Sequence, residues 1–579
     1  MTYKALIPIS EWLPAYKKSW FKGDLSAGLT VGVMLIPQGM AYASIAGLPA
    51  VYGLYASIVP LIIYAVFGTS RQLAVGPVAM VSLLTATAIG TFEGISADTY
   101  IAYAILLAFM VGVIQFALGL FRLGFLVNFL SHPVVSGFTS AAALIIGFSQ
   151  LKHLLGIEIP RSHHVHEILI YAVKNIPQIN WGAFLIGLMG IAIIIGSKRL
   201  NKSLPGQLFA VIAGILVISL FGLGKGTNAV PIVKDIPSSL PSFNLVGFDL
   251  DVMQLLLPMA LTIALISFME SIAVAKAVQV KHRNYKVEPN QELMALGLSN
   301  IGGSFFQSYP TTGGFSRTAV NDQAGARTAL SGIISAVLIV LTLLFLTPLF
   351  YNLPKTILAS VIMVAVFGLI DFKEARHLYK SHRTDFWMLI VTFVATLGLG
   401  IEMGIGVGVV LSLAMVLFKT TRPHSARLAR VPNTHFYRNI ERFDDLEIID
   451  EILIYRFDAQ LFFANTSFFK ERLYEYEKAK RGDLKLLIID GESINNIDSS
   501  AIHTLDEIVD DFHSRKVKVF FTGIKGPVRD VMMRSGFTEK VRPDHFFMSI
   551  QEAIDFYKKQ SNVRITNGQL DEYINQVNP

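Results

Sequence analysis

The chain has 579 residues, of which 53% are hydrophobic and only 16% are charged, and its formal net charge at pH 7 is +7. A mean hydropathy of +0.52 with long charge-poor runs excludes an ordinary soluble protein and indicates an integral membrane protein. The absence of cysteine excludes disulfides and thiolate metal sites, and the positive charge lies largely in short loops, so no nucleic-acid partner is expected.

The distribution of charge divides the chain. The first residues contain tryptophan and lysine but no apolar core of the signal-peptide type, and the charges that are sparse in the middle return near residue 420. We therefore predict a cytosolic lead-in over 1–23, a membrane domain over 24–419, a linker over 420–434, a soluble domain over 435–562 and a C-terminal tail over 563–579.

The membrane domain contains about fourteen apolar stretches, several of them shorter than the roughly twenty residues that a helix needs to span a bilayer. They lie near 25–45, 52–67, 73–90, 101–121, 125–151, 181–197, 207–223, 252–280, 292–307, 313–320, 329–350, 357–370, 386–400 and 404–418. An α-helical membrane protein with about fourteen transmembrane segments is predicted.

The connecting loops indicate the orientation. If the N-terminus is cytosolic, basic clusters such as Lys198-Arg199 fall inside and acidic residues such as Asp249 fall outside, as the positive-inside rule expects. The N-terminus and the soluble domain are then cytoplasmic. The long connection 152–180 is mixed, and we interpret its cluster His163-His164-Val165-His166 as loop histidines, because no cysteine or paired carboxylate pattern accompanies it.

Two of the short segments, the third and the tenth, are interrupted by glycine and proline. One begins Val75-Gly76-Pro77, and the other opens Tyr309-Pro310-Thr311-Thr312-Gly313-Gly314-Phe315-Ser316-Arg317. Irregular backbone at membrane depth survives only where protein or a watery cavity covers it, so each break marks a candidate binding site of a transporter. The breaks are seven segments apart, and because seven is odd, they predict a seven-plus-seven inverted repeat with two half-helices.

An anion is the natural occupant of such a site. Facing half-helix N-termini supply partial positive charges of about +0.5 each, and the guanidinium of Arg317 raises the total to about +2, which balances a doubly charged oxyanion. A snorkelling or structural arginine is the alternative interpretation.

Further donors surround the breaks in the sequence. Gln38 and Tyr42 share one face of the first segment and either donate hydrogen bonds to an anion or form a packing pair. Ser316, Thr311, Thr312 and the backbone of Gly76 and Phe315 complete the candidate donor set, while Pro77 fixes the start of its half-helix.

Glu270 is the one charged residue between Leu256 and Ala275. Burial disfavours the ionised form of a carboxylate, and a bound anion disfavours it further, so proton binding and anion binding would favour each other. Glu270 is therefore a candidate proton carrier of a symporter. A structural carboxylate paired with a hydroxyl or with Arg317 is the alternative.

The soluble part predicts a small α/β domain. Strands are predicted over 447–458, 484–490 and 516–521, and helices over 467–479, 496–513 and 526–535. It lacks a glycine-rich phosphate loop, a nucleophile elbow and a metal constellation, so enzymatic activity is not expected.

Four motifs taken together carry a resemblance to a known family. They are Pro37-Gln38-Gly39-Met40-Ala41-Tyr42-Ala43, Val75-Gly76-Pro77-Val78-Ala79, Glu270-Ser271-Ile272-Ala273-Val274-Ala275-Lys276 and Gly313-Gly314-Phe315-Ser316-Arg317-Thr318-Ala319-Val320-Asn321. As a set they resemble the SulP sulfate permease family, the bacterial relatives of the solute carrier 26 anion transporters. The soluble domain resembles the STAS domain of that family, with Asp498-Ser499-Ser500 in the loop where related anti-sigma-factor antagonists are phosphorylated.

The resemblance implies a homodimer in which each chain has a mobile core and a gate. It places the anion site at Gln38, Tyr42, Val75, Gly76, Pro77, Phe315, Ser316 and Arg317. Glu270 matches an acidic position of the family; sodium-coupled bicarbonate members have aspartate there and a hydroxyl residue one turn later, where this chain has Val274, so proton coupling is favoured. Ser499 and Ser500 become possible phosphorylation sites, although a serine there would also cap a helix.

These inferences predict a secondary active anion transporter of the inner membrane, without cofactor or metal, that takes up sulfate with protons by an elevator-type mechanism. Bicarbonate, chloride or a dicarboxylate are alternative substrates of the same fold. A membrane anion sensor that signals through the STAS domain is the alternative from another class.

Overall fold

The structure, a computed structural model, describes residues 7–125, 131–159, 165–200, 205–225, 229–282, 285–480 and 483–561. It divides into two compact units, residues 1–412 and 413–579, called here the membrane unit and the soluble unit. The predicted tail 563–579 lies outside the described residues.

The described part of the chain contains a helical segment for each of the fourteen apolar stretches, and we call these segments spans 1 to 14. They are Phe21–Ile45, Ala50–Phe67 with a break after Tyr55, Val75–Gly76 with Ala79–Gly90, Ala97–Leu120, His132–Leu155, Trp181–Leu200, Gly206–Phe221, Leu250–His282, Pro289–Ser304, Thr312–Gly313 with Phe315–Gln323, Leu330–Phe350, Lys355–Phe367, Arg383–Leu399 and Ile401–Thr421. Eight helices among the described residues are long and apolar enough to cross a membrane, and spans 3 and 10 are half-helices.

The packing of the spans repeats with an offset of seven. If each span corresponds to the span seven places later, the contact between spans 1 and 11 corresponds to the contact between spans 8 and 4, and both are present. The contact between spans 6 and 12 corresponds in the same way to that between spans 13 and 5, which are also both present. Span 2 contacts its own counterpart, span 9. Short helices outside the spans, Val165–Lys174 and Phe372–Ser381, follow spans 5 and 12 and are also seven spans apart. This is the inverted repeat of two seven-span halves.

The soluble unit is built on a six-stranded sheet in the order β4-β3-β5-β6-β7-β8. The strands are β3 Ser425–Arg430, β4 Tyr437–Asn439, β5 Ile452–Phe457, β6 Leu486–Asp490, β7 Lys518–Thr522 and β8 Phe546–Phe547, after β1 and β2 of the membrane unit, Val75–Gly76 and Thr312–Gly313. Strand β3 runs antiparallel to both its neighbours, and the strands from β5 to β8 are parallel.

Helices cover both faces of this sheet. They are α1 Thr466–Lys478, α2 Ser499–Ser514, α3 Gly526–Arg534, α4 Phe537–Val541 and α5 Ile550–Ser561. Alternate side chains of β6 point to opposite faces, so Leu487 and Ile489 pack with α1 to α4 and Leu486 and Ile488 pack with α5. Because helices cover both faces of the sheet, β6 consists almost entirely of consecutive apolar residues.

One strand lies where the sequence predicts a linker. Ser425–Arg430, inside the predicted linker 420–434, pairs with β4 on one side and with β5 on the other. Apart from Leu428, the strand consists of small and basic residues, so its sequence lacks the apolar alternation by which strands are identified.

Candidate functional site

The two glycine-proline breaks meet in space, although they are separated by more than two hundred residues. Strand β1 pairs with β2 in antiparallel register, with Val75 opposite Gly313 and Gly76 opposite Thr312. The amide of Gly314 also donates to the carbonyl of Ala74 at 3.0 Å. Gly76 has a φ of +152°, a conformation that side chains with a Cβ avoid. The pairing satisfies backbone groups that would otherwise be unpaired at membrane depth.

Each strand leads into the N-terminus of a half-helix. Ala79–Gly90 follows β1 and Phe315–Gln323 follows β2, and neither helix has a side-chain cap. The first N–H groups of a helix have no acceptor within it, and they carry the positive end of the helix dipole. The two N-termini therefore concentrate partial positive charge around the paired strands.

Arg317 joins the two half-helices. It lies in the first turn of span 10, is 2% exposed, and donates from Nη1 to the carbonyl oxygen of Pro77 at 2.6 Å. Its Nε and Nη2 are buried and have no acceptor among the residues that the structure describes. A Cβ at Gly314 would lie 2.9 Å from Nη2, so a larger residue there would require the guanidinium to shift from this position. Buried N–H donors of a cation without acceptors are costly, which makes the site strongly attractive to an anion.

Span 1 supplies the next layer and packs against both half-helices. Gln38 and Tyr42 are buried, and neither side chain makes a hydrogen bond to another described residue. Tyr42 lies within electrostatic range of both Arg317 and Glu270. The structure therefore brings Tyr42 to the half-helix site, whereas for Gln38 it gives a buried position one turn earlier on the same helix and no polar contact.

Glu270 lies on span 8 within electrostatic range of Arg317. Its side chain is partly exposed, and it forms no hydrogen bond or ion pair with a residue in the described ranges. The distance between its carboxylate and the Arg317 guanidinium exceeds that of a salt bridge, so the two charges do not neutralise each other directly. A carboxylate held in this way retains the freedom to bind a proton.

The residue after Glu270 anchors span 8 to the break. Ser271 Oγ accepts from the amide of Gly313 at 2.8 Å and lies 2.7 Å from Thr312 Oγ1, which donates to the carbonyl of Ser267 at 2.7 Å. Since Thr312 uses its proton there, Ser271 donates to Thr312. Sequence reasoning missed this role; its signal is the pair of serines four residues apart in an apolar span.

A second buried network continues from the break. Asn300 Oδ1 accepts from the amide of Thr311 at 2.8 Å, and its Nδ2 donates to Gln115 Oε1 at 3.1 Å. Gln115 Nε2 in turn donates to Ser267 Oγ at 2.8 Å. Spans 4, 8, 9 and 10 are thereby joined, and the only sequence signal for this network is a pair of amides in apolar segments.

The remaining predicted residues surround the N-termini. Val75 and Pro77 are buried, Ser316 is exposed, and the Phe315 ring is 61% exposed at the very start of the span 10 half-helix. The structure therefore places an exposed aromatic ring at the uncapped N-terminus of this half-helix.

Two other buried carboxylates have full sets of donors. Glu292 accepts from Tyr64 Oη at 2.6 Å, from the amide and the hydroxyl of Thr69, and from the amide of Ser70. Asp24 likewise accepts from the amides of residues 327 and 328, the hydroxyl of Thr328 and that of Tyr16. These carboxylates hold loops in place, and Glu270 differs from them in having no such partners.

In the soluble unit, Asp498 is the N-cap of α2. It accepts from the amides of Ala501 and Phe463, both at 2.9 Å, so the expectation that a serine would cap this helix is wrong. Ser499 and Ser500 occupy the next two positions and are exposed.

No cluster of histidine and acidic side chains within the described ranges has the geometry of a metal site. His163 and His164 of the predicted loop cluster lie outside those ranges.

The sequence was compared with known proteins. The model of the sulfate permease family matches residues 21–392, and that of the STAS domain matches residues 445–553. "Sulfate transporter 4.1, chloroplastic" of Arabidopsis thaliana is 39% identical, with 96% of this chain and 84% of that protein covered. "High affinity sulfate transporter 2" of Stylosanthes hamata is 34% identical over 95% and 86%.

Solved structures show the same architecture. The chain resembles SLC26A9 with a TM-score of 0.88 and 27% identity, covering 97% of this chain and 94% of that one. The murine Slc26a9 anion transporter in the inward-facing state gives 0.88 and 26%, covering 96% and 94%. The transmembrane domain of the cyanobacterial bicarbonate transporter BicA, at 24% identity, shares the fold with a TM-score of 0.59 over 69% of this chain and 98% of that one.

The family match covers well over half of the chain and includes both half-helices and Glu270. The chain therefore belongs to the sulfate permease family of multi-pass membrane anion transporters and carries a C-terminal STAS domain.

Proposed function

We propose that this protein takes up sulfate together with protons. The curated relatives are named as sulfate transporters, and they are up to 40% identical over nearly the whole chain. The observation that carries the proposal is the convergence of two uncapped half-helix N-termini with the buried Arg317, whose Nε and Nη2 have no described acceptor. By the dipole estimate this site carries about +2, which matches a doubly charged tetrahedral oxyanion better than a singly charged one.

Proton coupling is assigned to Glu270. Its negative charge opposes anion binding at a site it faces, and protonation removes that opposition, so each ligand strengthens the binding of the other. Glu292 and Asp24 are excluded from this role because four donors stabilise the ionised form of each.

Movement of the site is assigned to an elevator-type mechanism. The hydrogen bonds that build the site connect spans 3, 4, 8, 9 and 10, and span 1 packs on both half-helices. Spans 5, 6, 12 and 13 pack mainly on one another. We take spans 1–4 and 8–11 as the mobile core and spans 5–7 and 12–14 as the gate, so that a core held by its own polar network moves as one body.

The proposal includes a homodimer with a defined membrane orientation. Two copies are placed in the inner membrane with the N-terminus and the STAS domain in the cytoplasm, in keeping with the basic inner loops. Chemical crosslinking in native membranes, read as a band of twice the chain mass, tests the homodimer.

The decisive experiment is radiolabelled sulfate uptake into proteoliposomes with an inward proton gradient and no sodium. Accumulation that collapses when the proton gradient is dissipated supports the proposal. Uptake of bicarbonate, chloride or fumarate in place of sulfate would change the substrate and keep the site. Anion binding without any flux would replace transport by the sensor function.

Regulation through the STAS domain is supported by one observation. Ser499 and Ser500 are exposed at the start of α2, where the helix dipole favours a phosphate, although Asp498 beside them repels it. We propose that one of them is phosphorylated. Mass spectrometry of protein from native cells tests this, and finding both serines unmodified under all growth conditions would contradict it.

A further inference from the structure

A second polar cavity lies in the membrane unit, away from the half-helices. Its volume is about 320 Å³, and it is bordered by the turn between spans 1 and 2, the end of span 5, the loop before span 8 and the start of span 12. None of the residues assigned to the half-helix site lines it.

Two lysines, a histidine and one aspartate line this cavity. Lys152, His153 and Lys355 line it, and both lysines lie within electrostatic range of His153. Lys355 forms no ion pair with another described residue. Asp235 is the carboxylate on the wall, and it forms no ion pair with the lysines. The cavity is therefore net positive while remaining polar enough to hold water.

The size of the cavity suits a hydrated ion. Its volume is roughly ten times the ~30 Å³ that one water molecule occupies in the liquid. Leu358, Ala359 and Ile362 form an apolar wall from span 12, and Ser44 and Gln150 add hydrogen-bonding groups. A tetrahedral oxyanion with several of its waters fits this space without full dehydration.

The cavity lies at the outer end of span 1. Span 1 begins beside Asp24, on the side assigned to the cytoplasm, and the cavity residues Gly47 to Val51 follow its opposite end. Its walls come both from the core, through spans 1 and 2, and from the gate, through spans 5 and 12. An ion in this position is in contact with the outer medium and with the boundary along which core and gate move.

We propose that this cavity is an outer reception site, where Lys152 and Lys355, beside the His153 ring, concentrate a hydrated, doubly charged oxyanion before it reaches the half-helix site. A net positive cleft with low-dielectric walls raises the local concentration of an anionic ligand and hence its association rate. The negative charge of Asp235 opposes the positive charge of the two lysines and weakens binding of the anion. The role in delivery depends on the proposed transport, whereas anion binding in the cavity does not.

The absence of cysteine from the chain provides a direct test. Ser44 is exposed and lines the cavity, so Ser44→Cys introduces a single thiol there. In lipid nanodiscs, the rates of reaction with an anionic and with a cationic methanethiosulfonate reagent are compared, without and with sulfate. We expect the anionic reagent to react faster by roughly fivefold or more, the effect of one nearby charge, and sulfate to slow both reactions.

Charge variants in the Ser44→Cys background sharpen the test. Lys355→Gln is expected to reduce the preference for the anionic reagent and to raise the sulfate concentration needed for protection several-fold, while Lys355→Arg preserves both. Asp235→Asn is expected to act in the opposite direction and to lower that concentration. Equal rates for the two reagents, or no protection by sulfate, would overturn the proposal.

If Ser44→Cys lowers the yield of folded protein, Ala50→Cys, at a half-buried position of the same cavity, replaces it. The two proposals fail separately. Sulfate protection in a protein that transports no sulfate would leave the reception site standing and reject the transport function. Sulfate transport by a protein in which sulfate does not protect the introduced thiol would support the transport function and reject the reception site.

Discussion

Arg317 is unusual because its charge is buried without a carboxylate at salt-bridge distance. Its one described hydrogen bond goes to the carbonyl of Pro77, and Glu270 faces it from further away. A buried cation is normally neutralised by an ion pair, because desolvation costs several kcal/mol per ion. Here the buried guanidinium has no such partner, and two half-helix N-termini add further positive charge around it. This arrangement is expected where a bound anionic ligand supplies the compensating negative charge.

The first prediction concerns this guanidinium. Arg317→Gln is expected to lower sulfate uptake about 100-fold, because charged hydrogen bonds are worth about 1.5–3 kcal/mol and an anion loses more than one of them. Arg317→Lys should retain part of the uptake, since lysine keeps the charge but loses the fixed fork of donors. Initial rates of radiolabelled sulfate uptake give the measurement. Lys276→Gln, an exposed cation of span 8, serves as the control. Normal transport by Arg317→Gln would contradict the binding role.

The second prediction compares two carboxylates of the membrane unit, the partly exposed Glu270 and the fully buried Glu292. Glu270→Gln is expected to abolish the dependence of sulfate uptake on the proton gradient, because the amide mimics the protonated acid and cannot release a proton. Glu292→Gln removes the negative charge and replaces one of the two oxygens that accept from two hydroxyl and two amide donors by an NH2 group, so it should lower the yield of folded protein and leave the proton dependence of the remainder unchanged.

Uptake at several external pH values, normalised to the amount of reconstituted protein, separates the two effects. Coupling is not at Glu270 if Glu270→Gln keeps the pH dependence of the native protein.

The sequence predicts Arg317 and Glu270 because each is a charge in an otherwise apolar segment. It does not predict which carboxylates are paired. The donors of Glu292 come from residues 64 to 70, and those of Asp24 include the amides near residue 327. Such distances along the chain leave no local pattern, so only the fold distinguishes a structural carboxylate from an unpaired one.

Among the elements, the two broken spans are the best predicted, because glycine and proline have local conformational effects. Gly76 has its φ at +152°, and Gly313 and Gly314 allow Ser271 and Arg317 to approach the backbone closely. Strand β3 was not predictable in the same way, since its residues are small and basic. Its place in the sheet depends on pairing with β5, which begins more than twenty residues further along the chain, beyond β4.

The third prediction tests the break in span 3. Gly76→Ala is expected to reduce the thermal stability of the membrane unit and to lower sulfate affinity, because alanine at this φ costs roughly 1–3 kcal/mol and tilts the half-helix N-terminus. Gly90→Ala, at the far end of the same half-helix, is the matched control, since a Cβ there meets no other atom within 4 Å. Melting curves with and without sulfate are the measurement, and equal behaviour of the two variants would show that the break tolerates a side chain.

The fourth prediction concerns the start of the soluble sheet. Asp458, at the end of β5, accepts two hydrogen bonds from Arg456 at 2.7 and 3.0 Å and lies 2.7 Å from His424 Nδ1. Burial by itself raises the pKa of Asp458, but these hydrogen bonds and the positive charges outweigh it and hold that pKa below its usual value. The resulting stability is present above the unfolded pKa of about 3.9 and is lost as pH falls through the folded pKa.

Asp458→Asn is therefore expected to lower the unfolding free energy of a fragment spanning residues 420–561 by about 1–2 kcal/mol at pH 7. The difference from the unsubstituted fragment should shrink below pH 4. Urea titrations at the two pH values provide the measurement. A pH-independent difference would assign the effect to packing and not to charge.

At the scale of the whole molecule, the inverted repeat relates an inner half to an outer half around one site. The pairings of spans 1 with 11 and 4 with 8 are exchanged by the repeat, while β1 and β2 exchange with each other. A site on the repeat axis is enclosed by equivalent elements on both sides of the membrane, so in the proposed transport cycle the same residues would serve it in inward-open and outward-open states. Nothing in such a geometry makes transport intrinsically one-way.

The fifth prediction follows from this symmetry. If a loaded core crosses the membrane more readily than an empty one, unlabelled sulfate inside proteoliposomes should accelerate the entry of labelled sulfate, even at equal pH on both sides. Glu270→Gln should preserve this exchange, because exchange needs no net proton release, whereas Arg317→Gln should lose it with binding. Accelerated exchange in the native protein and in Glu270→Gln, measured at saturating sulfate, would show that the neutral carboxylate accompanies the anion in both directions. If the native protein binds sulfate but exchanges none, the membrane unit would bind the anion without transporting it, and the protein would be a sensor.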